Sequence, residues 1–565
     1  MMPSAPKKAF PLLREFLYIL WPQRAKLGVV FCSSVVLSVL NMSVPYTLKI
    51  AVDTINAGQR LQVLFHVAAA ILVIYVAKNV LYYFSKSQIV LLGERVAFRL
   101  RNQLMTHLYR LSVGYYSRQK PGKISARLIQ DVETIKLFIC GELIKLLLNA
   151  LMLVVAAIVI IKLNTVLALI ALAVLPLNFV VYRAFSGPIR RSARVAKEQV
   201  SSISGDLVER FSGVKTVKAA VGEAQEQERF ARTMRKGMLA QIAQYRFYLL
   251  QKISADTLVG FSYILLFAAG GWIALMRVEA GAELTSFAAE FAAFFVYLGR
   301  LYPLAIELVA DAGKFAGTSA SVDRVYEILR TAPEVHTHPR AFPYKISHGK
   351  LEFRNVGFGF GREDLFKNVS FRVDPGEQVL LTGPAGCGKT TLLHLIPRFY
   401  DCRTGDIHVD SVSLNQFTLP ALRGQVSFVF EDSFLFDATV VDNIRYARPA
   451  ATETEVIAAA REAQADVFIR NLPRGYATRI GEGGIQLSYT QRQRISIARA
   501  LAGLDTEAHA IAETLRRRAV GRTMLIVTHQ PSLFPEFDKE LRFEAGEVRV
   551  IPRAPTPPGR EPRPG

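Results

Sequence analysis

Six apolar segments occupy the first part of the chain, at approximately Gly28–Ile50, Leu64–Phe84, Leu143–Ile161, Val166–Val181, Leu258–Met276 and Phe287–Leu308. Most approach the length of about 20 residues that a helix needs to cross a bilayer. They account for the 51% hydrophobic composition of a chain whose 565 residues exceed one ordinary domain. They also account for the net charge of +22, which fits basic loops beside an anionic cytoplasmic leaflet. A nucleic-acid partner is not expected, because a soluble basic protein would not carry such segments.

The connections are unequal. Short links join the first and second, third and fourth, and fifth and sixth segments. Between the third and fourth there is only Lys162-Leu-Asn164, a tight outside hairpin. A long basic stretch with Arg95, Arg99, Arg101, Arg110, Arg118 and Arg127 joins the second to the third. Another, with Arg190, Arg191, Arg194, Lys215, Lys218 and Arg232, joins the fourth to the fifth. Positive residues mark the cytoplasmic side, so both termini and both long loops are expected there. The loops keep helical periodicity and should turn back at breaks, Gly114 to Gly122 and Phe211 to Gly222. Phe10 to Trp21 reads as an amphipathic helix at the membrane surface. Glu290, Arg300 and Glu307 fall inside the sixth segment. Arg300 and Glu307, seven apart, either line a polar cavity or leave Arg300 to snorkel toward the headgroups. Lys145 and Asp256 read as interfacial.

After Arg324 a connector with Pro333, Pro339 and Pro343 leads into a soluble α/β pattern. Leu351–Val356 and Val369–Val373 alternate as strands, and Gln425–Phe430 and Thr523–Val527 read as two more. Among them stands Gly383-Pro384-Ala385-Gly386-Cys387-Gly388-Lys389-Thr390-Thr391, behind the apolar run Val379–Thr382 and ahead of Leu392–Ile396. Strand, glycine loop and helix at this spacing make a P-loop. Its glycines let backbone N–H groups turn toward phosphate oxygens, and the helix start adds its positive dipole end. Lys389 is expected at the β- and γ-phosphates and the Thr390 hydroxyl on Mg²⁺. The expected ligand is a nucleoside triphosphate. The four cysteines, Cys32, Cys140, Cys387 and Cys402, have no metal-ligand or disulfide spacing, which fits a reducing compartment. Cys387 is either a low-pKa thiol beside Lys389 or an inert buried one.

Six membrane segments followed by a P-loop domain resemble a half-transporter of the ABC exporter type, over nearly the whole chain. Tyr115-Tyr116, Gly122, Arg127 and Asp131 are similar to that family's first cytoplasmic loop; Gly213, Val217-Lys218-Ala219, Glu223 and Arg229-Phe230 are similar to its second. Phe360, closing Val356-Gly-Phe-Gly-Phe360, resembles the aromatic residue that stacks on adenine. Phe434–Ile444, Ile480–Gly484 and Gln491–Leu501 match further stretches, and Thr528-His529-Gln530 resembles the switch histidine that contacts the γ-phosphate. The resemblance implies an all-α six-helix transmembrane domain over 1–330, a linker over 331–348 and an α/β P-loop nucleotide-binding domain over 349–550; the tail over 551–565, rich in proline and arginine, reads as disordered. It also implies ATP and Mg²⁺ as ligands. The subunit would pair as a homodimer, or as a heterodimer with a second half-transporter. It would be multi-pass in a lipid bilayer, the bacterial inner membrane, with its nucleotide-binding domain cytoplasmic and its cargo unknown. In that family the turns of both loops are coupling helices that dock on nucleotide-binding domains.

The pattern departs at three places. The signature Leu-Ser-Gly-Gly-Gln is here Leu487-Ser488-Tyr489-Thr490-Gln491. Two side chains replace the glycines that permit close backbone approach, while Ser488 keeps its hydroxyl. The glutamine that helps hold Mg²⁺ is Glu431, whose carboxylate can still ligate the ion but adds charge near the triphosphate. After Leu501, Ala502-Gly503 leads straight to Leu504-Asp505. About 15–20 residues are missing against the family, a linker plus one strand. That strand carries the Walker-B aspartate and the general-base glutamate in the family. The expected nucleotide contacts are therefore Phe360, Gly383 through Thr391, Glu431, Ser488, Gln491 and Asp505, with Thr390 and Glu431 on the metal and His529 as the catalytic group. Hydrolysis is expected to be slow, which leaves a non-catalytic regulatory or partner subunit as the alternative. Around the gap, either neighbouring strands close up, or the domain is unstable, or the sequence is an altered reading of a longer gene.

Overall fold

The structure, a computed structural model, describes residues 23–56, 61–119, 121–279, 284–361, 363–481, 484–503, 523–527, 537–544 and 547–552. The expected surface helix of Phe10 to Trp21, Asp505 and His529 lie outside these residues. The chain forms two compact units. One comprises Met1–Leu108 and Gly122–Arg330; the other joins Tyr109–Pro121 to Thr331–Gly565.

The first unit is helical. Its long helices are α1 (Arg24–Asn56) and α2 (Leu61–Arg110) and, after the short α3 (Val113–Arg118) of the other unit, α4 (Pro121–Leu163) and α5 (Thr165–Ser212). The short α6 (Val214–Ala219), α7 (Glu223–Glu279) and α8 (Leu284–Arg330) complete it. All six apolar segments lie within these long helices, and among the described residues five helices are long and apolar enough to cross a membrane. The hairpin at Asn164 forms as expected: its backbone is extended, and its Oδ1 accepts the Leu167 N–H at 3.1 Å, capping α5. Ile160, Leu167 and Ala171 pack against Leu266, Phe294 and Leu298 in the core of this unit. Glu307 accepts from Asn149 Nδ2 at 3.2 Å and pairs with Lys145 Nζ at 2.9 Å, so the sixth apolar segment is tied to the third by charge. Asp131 sits in a π-helical turn, Arg127–Asp131, and takes two bonds from the Arg324 guanidinium, one of them from Nε at 2.8 Å. A planar carboxylate meeting a planar fork fixes α4 against α8 at one rotation.

The second unit is α/β. Strands β1 (Leu351–Phe358), β2 (Phe366–Val373), β4 (Thr404–Val409) and β5 (Val412–Ser413) form an antiparallel sheet in the order β2-β1-β4-β5. Strand β3 (Gln378–Thr382) runs parallel to β8 (Met524–Val527) and β9 (Lys539–Glu544) in the order β10-β9-β3-β8, where β10 is Glu547–Pro552. Both sheets share one core, in which Phe353, Val379, Leu381, Leu392 and Phe543 are buried. The short α10 (Leu419–Arg423) follows β5, β6 (Ala438–Thr439) pairs with β7 (Arg479–Ile480), and a second core lies among α11 (Val440–Arg445), α12 (Glu453–Glu462), α13 (Asp466–Arg470) and α14 (Tyr489–Ala502), with Val440, Ile444, Val456, Ile469, Ile495 and Ala498.

Two expectations fail here. Residues 426–430 form no strand, and Val429 and Phe430 are 40% and 46% exposed. The reason lies at the end of the sheet. Among the described residues the order stops at β8, whose four residues are half-buried where β3 is almost wholly buried. A strand is held by a neighbour's backbone N–H and C=O groups, and residues 426–430 have no such neighbour among the described residues. The neighbouring strands therefore do not close up among the described residues. The tail also begins later than 551, because Ile551 and Pro552 still pair with Glu540 and Lys539 in β10.

Candidate nucleotide-binding site

The glycine loop follows β3 directly and enters the helix α9 (Lys389–Leu395). Two of its glycines are required by space as well as by backbone angle. At Gly383, φ is +141° and a Cβ would lie 2.7 Å from the Phe543 carbonyl oxygen; at Gly388, φ is +104° and a Cβ would lie 3.0 Å from Leu365 Cδ2. An L side chain at either position would be strained and would clash. The loop is thus held in a left-handed curl by its own residues and by β2 and β9. Lys389 is 5% exposed and its ammonium donates to the Gly383 and Pro384 carbonyls at 2.8 and 2.7 Å. The charge is held within the ring of the loop, and Cys387 Sγ lies 3.6 Å from it. Thr390, the next residue, is exposed and Thr391 is half-buried, so the Thr390 side chain is open at the start of the helix.

Phe360 is 52% exposed at the end of the β1 strand. Its ring stands edge-on to Phe358 at 5.1 Å and to Tyr400 at 5.5 Å. Phe358 contacts Phe366 at 6.2 Å, and Phe366 bounds Gly388, so a short aromatic row connects Phe360 to the loop. An aromatic ring braced at its edges and open to solvent can accept a flat heterocycle by stacking.

The remaining predicted contacts are not gathered here. Ser488 and Gln491 form a capping box at the start of α14 (Tyr489–Ala502): Ser488 Oγ accepts the Gln491 N–H at 3.2 Å, and Gln491 Oε1 accepts the Ser488 N–H at 2.9 Å. Glu431 lies in a bend with its side chain exposed, and its backbone carbonyl accepts from the Tyr489 hydroxyl at 3.3 Å. Tyr489 therefore ties α14 to the end of the unpaired segment. No contact of Glu431, Ser488 or Gln491 with the glycine loop occurs among the described residues. The stretch Phe434–Ile444 also has a structural role. Buried Asn443 bonds the Phe436 backbone twice at 2.9 Å, and Arg499 of α14 bonds the Asn443 carbonyl at 2.8 Å.

Sequence reasoning missed Glu334 and Tyr400. Glu334 follows Pro333 in the connector and accepts from Ser112 Oγ at 3.0 Å while pairing with Arg118. Tyr400 lies just after α9 and carried no motif signal beyond being aromatic. Burial and nearby Asp406 and Asp401 push the Cys402 thiol up to about 12, whereas His394 on α9 is pushed below its ordinary value by burial.

Comparison with known proteins agrees with this architecture. The family described as ABC transporter transmembrane region matches residues 27–297, and the family described as ABC transporter matches residues 366–505. An ATP-dependent lipid A-core flippase of Syntrophus aciditrophicus is 30% identical over 95% of this chain and 90% of its own length. A candidate multidrug export ATP-binding/permease protein of Bacillus subtilis is 28% identical over 96% of both chains. With both family regions in order on one chain and a relative at this identity along nearly its whole length, the protein belongs to the ABC transporter family, as a half-transporter of the exporter kind.

Proposed function

We propose that this exporter subunit binds ATP at Gly383 through Thr391, with Phe360 against the adenine, and turns it over slowly or not at all. The observation that carries the binding half is the left-handed curl of the glycine loop around a buried Lys389, joined by aromatic rings to an exposed Phe360. Lys389 orients the phosphates by its charge, and the loop's backbone N–H groups line them. Among the described residues no three His, Cys, Asp or Glu side chains cluster as metal ligands. Mg²⁺ would then rest on the Thr390 hydroxyl, phosphate oxygens and water, which suits an ion that keeps much of its hydration.

Slow turnover rests on residues 426–430 and on Tyr489. In relatives the strand that carries the metal-binding aspartate and the general base lies in this sheet; here the sheet stops at β8 among the described residues. The subunit would work as a dimer in a bacterial inner membrane with this domain in the cytoplasm. The relatives' names, lipid A-core flipping in one and multidrug export in the other, support a lipid-like or drug-like cargo. The same observation favours a second reading, a regulatory subunit that keeps ATP as a structural ligand. ATP hydrolysis by the full chain in lipid, beside Lys389→Ala, separates the two. Lysine-dependent turnover establishes a working transporter subunit, and tight binding without turnover establishes the regulatory one. Failure of the unmodified chain to bind ATP overturns both.

A further inference from the structure

The turn of the first cytoplasmic loop belongs to the same compact unit as the P-loop domain. Its helix α3 begins after Ser112, whose backbone is extended. Glu334 and Tyr400 both meet it. Glu334 accepts from Ser112 and pairs with Arg118, which clamps both ends of the turn by charge. Tyr400 fills the middle. A Cβ on Gly114 would lie 3.1 Å from Tyr400 Cε1 and 2.8 Å from Glu334 Oε2, so the turn rests on the Tyr400 ring through a residue with no side chain. Tyr400 Oη is 3.5 Å from Ser117 Oγ. Ser117 donates its own proton to the Val113 carbonyl at 3.1 Å, which leaves Tyr400 as the donor between the two hydroxyls.

The same ring also meets the aromatic row at Phe360. Tyr400 is edge-on to Phe360 at 5.5 Å and tilted against Phe358 at 5.5 Å. Of the two clamping residues, Tyr400 is the one whose ring packs against Phe360. The geometry points to Tyr400 as a positioning residue that couples occupancy at Phe360 to the seating of the turn Ser112–Arg118. This rests on the proposal that Phe360 receives adenine. A nucleotide that stacks on Phe360 fixes that ring; Phe360 braces Tyr400; and Tyr400 fixes how closely Gly114 approaches. Packed rings at van der Waals distance transmit such a constraint because they have few discrete arrangements. The turn follows the end of α2 at Arg110, with Leu111 between them.

Coupling of this kind is reciprocal: whatever nucleotide does to the turn, the turn does to nucleotide affinity by the same factor. The test uses the full chain in lipid and the binding of a ribose-labelled fluorescent ATP. Gly114→Leu, remote from the nucleotide, is expected to weaken binding by about fivefold or more. In a Tyr400→Leu background the same Gly114→Leu change is expected to leave affinity unaltered. An equal loss in both backgrounds shows another route and overturns the role of Tyr400. Unchanged affinity in Gly114→Leu alone overturns it without needing the Tyr400 variant to fold. If the unmodified chain binds no ATP, the nucleotide reading fails first, and the inference with it. A merely structural Tyr400 would lower stability in the single variant but would not erase the effect of Gly114→Leu.

Discussion

The glycine loop and the segment 426–430 both read as regular elements in the sequence, yet only the loop takes the form expected of it. The loop's curl is written into its own backbone: Gly383 and Gly388 take angles that other residues resist, and Lys389 closes the ring onto carbonyls within six residues. Segment 426–430 has the alternation of a strand but makes none, since a strand's bonds belong to a neighbour. A local motif needs no neighbour to take its form; a paired one does. The proposal that ATP is bound but turned over slowly rests on that difference.

The largest effect should come from testing burial on the two sides. Leu381→Ala in β3 removes a fully buried side chain and should cost about 2–5 kcal/mol. Val429→Ala, 40% exposed, should cost about 0.5 kcal/mol or less. Thermal melts of the two variants would break the comparison if their losses were equal. Next, Lys389→Ala should weaken ATP binding by about 100-fold, the worth of charge-assisted bonds to phosphate. Unchanged affinity would mean that the curled loop holds no phosphate.

A smaller effect concerns the thiols. With ATP at about ten times its Kd, alkylation of Cys387 should slow roughly tenfold, as mass spectrometry of the labelled protein would read. Cys402, pushed up to about 12 by burial, should label slowly with or without ATP and serves as the internal control. Labelling of Cys387 that ignores ATP would place the nucleotide elsewhere. The smallest effect joins the two regions. His394 of the loop's helix packs on Phe428 and Phe430, at 5.4 and 6.2 Å, and burial lowers its pKa in the folded chain. The unfolded chain takes up this proton first, near pH 6.5. Its contribution is therefore present above about pH 6.5 and is lost as pH falls through the lower folded value. His394→Phe should narrow the drop in melting temperature between neutral and acid pH by about 1–3 °C. No narrowing would mean that His394 is already solvated against the unpaired segment.

Much of the fold was legible because its signals are local. The apolar segments, the hairpin capped by Asn164, the break at Gly213 and the strand–loop–helix around Gly383 each follow from a few neighbouring residues. The second break shows where such reading stops. Its helix α6 has no buried residue, and Phe211 and Val221 are 72% and 83% exposed; the first break has a matching short helix whose Gly114 and Tyr115 are buried. Nothing in the two stretches distinguishes them before Glu334 and Tyr400 are in place. Ser488 and Gln491 teach the same lesson from the other side: residues expected to face a nucleotide also complete a helix cap, a role decided within three residues.

Period, glycine placement and charge settled the membrane helices, the P-loop and the order of the two domains, because each depends on residues close along the chain. Whether 426–430 became a strand, how the turn at Gly114 is seated, and that Tyr400 stands between Phe360 and Gly114 were decided by tertiary structure. Those outcomes depend on partners tens to hundreds of residues away, whose approach no local pattern encodes: Glu334 meets Ser112 across 222 positions, and Tyr400 meets Ser117 across 283.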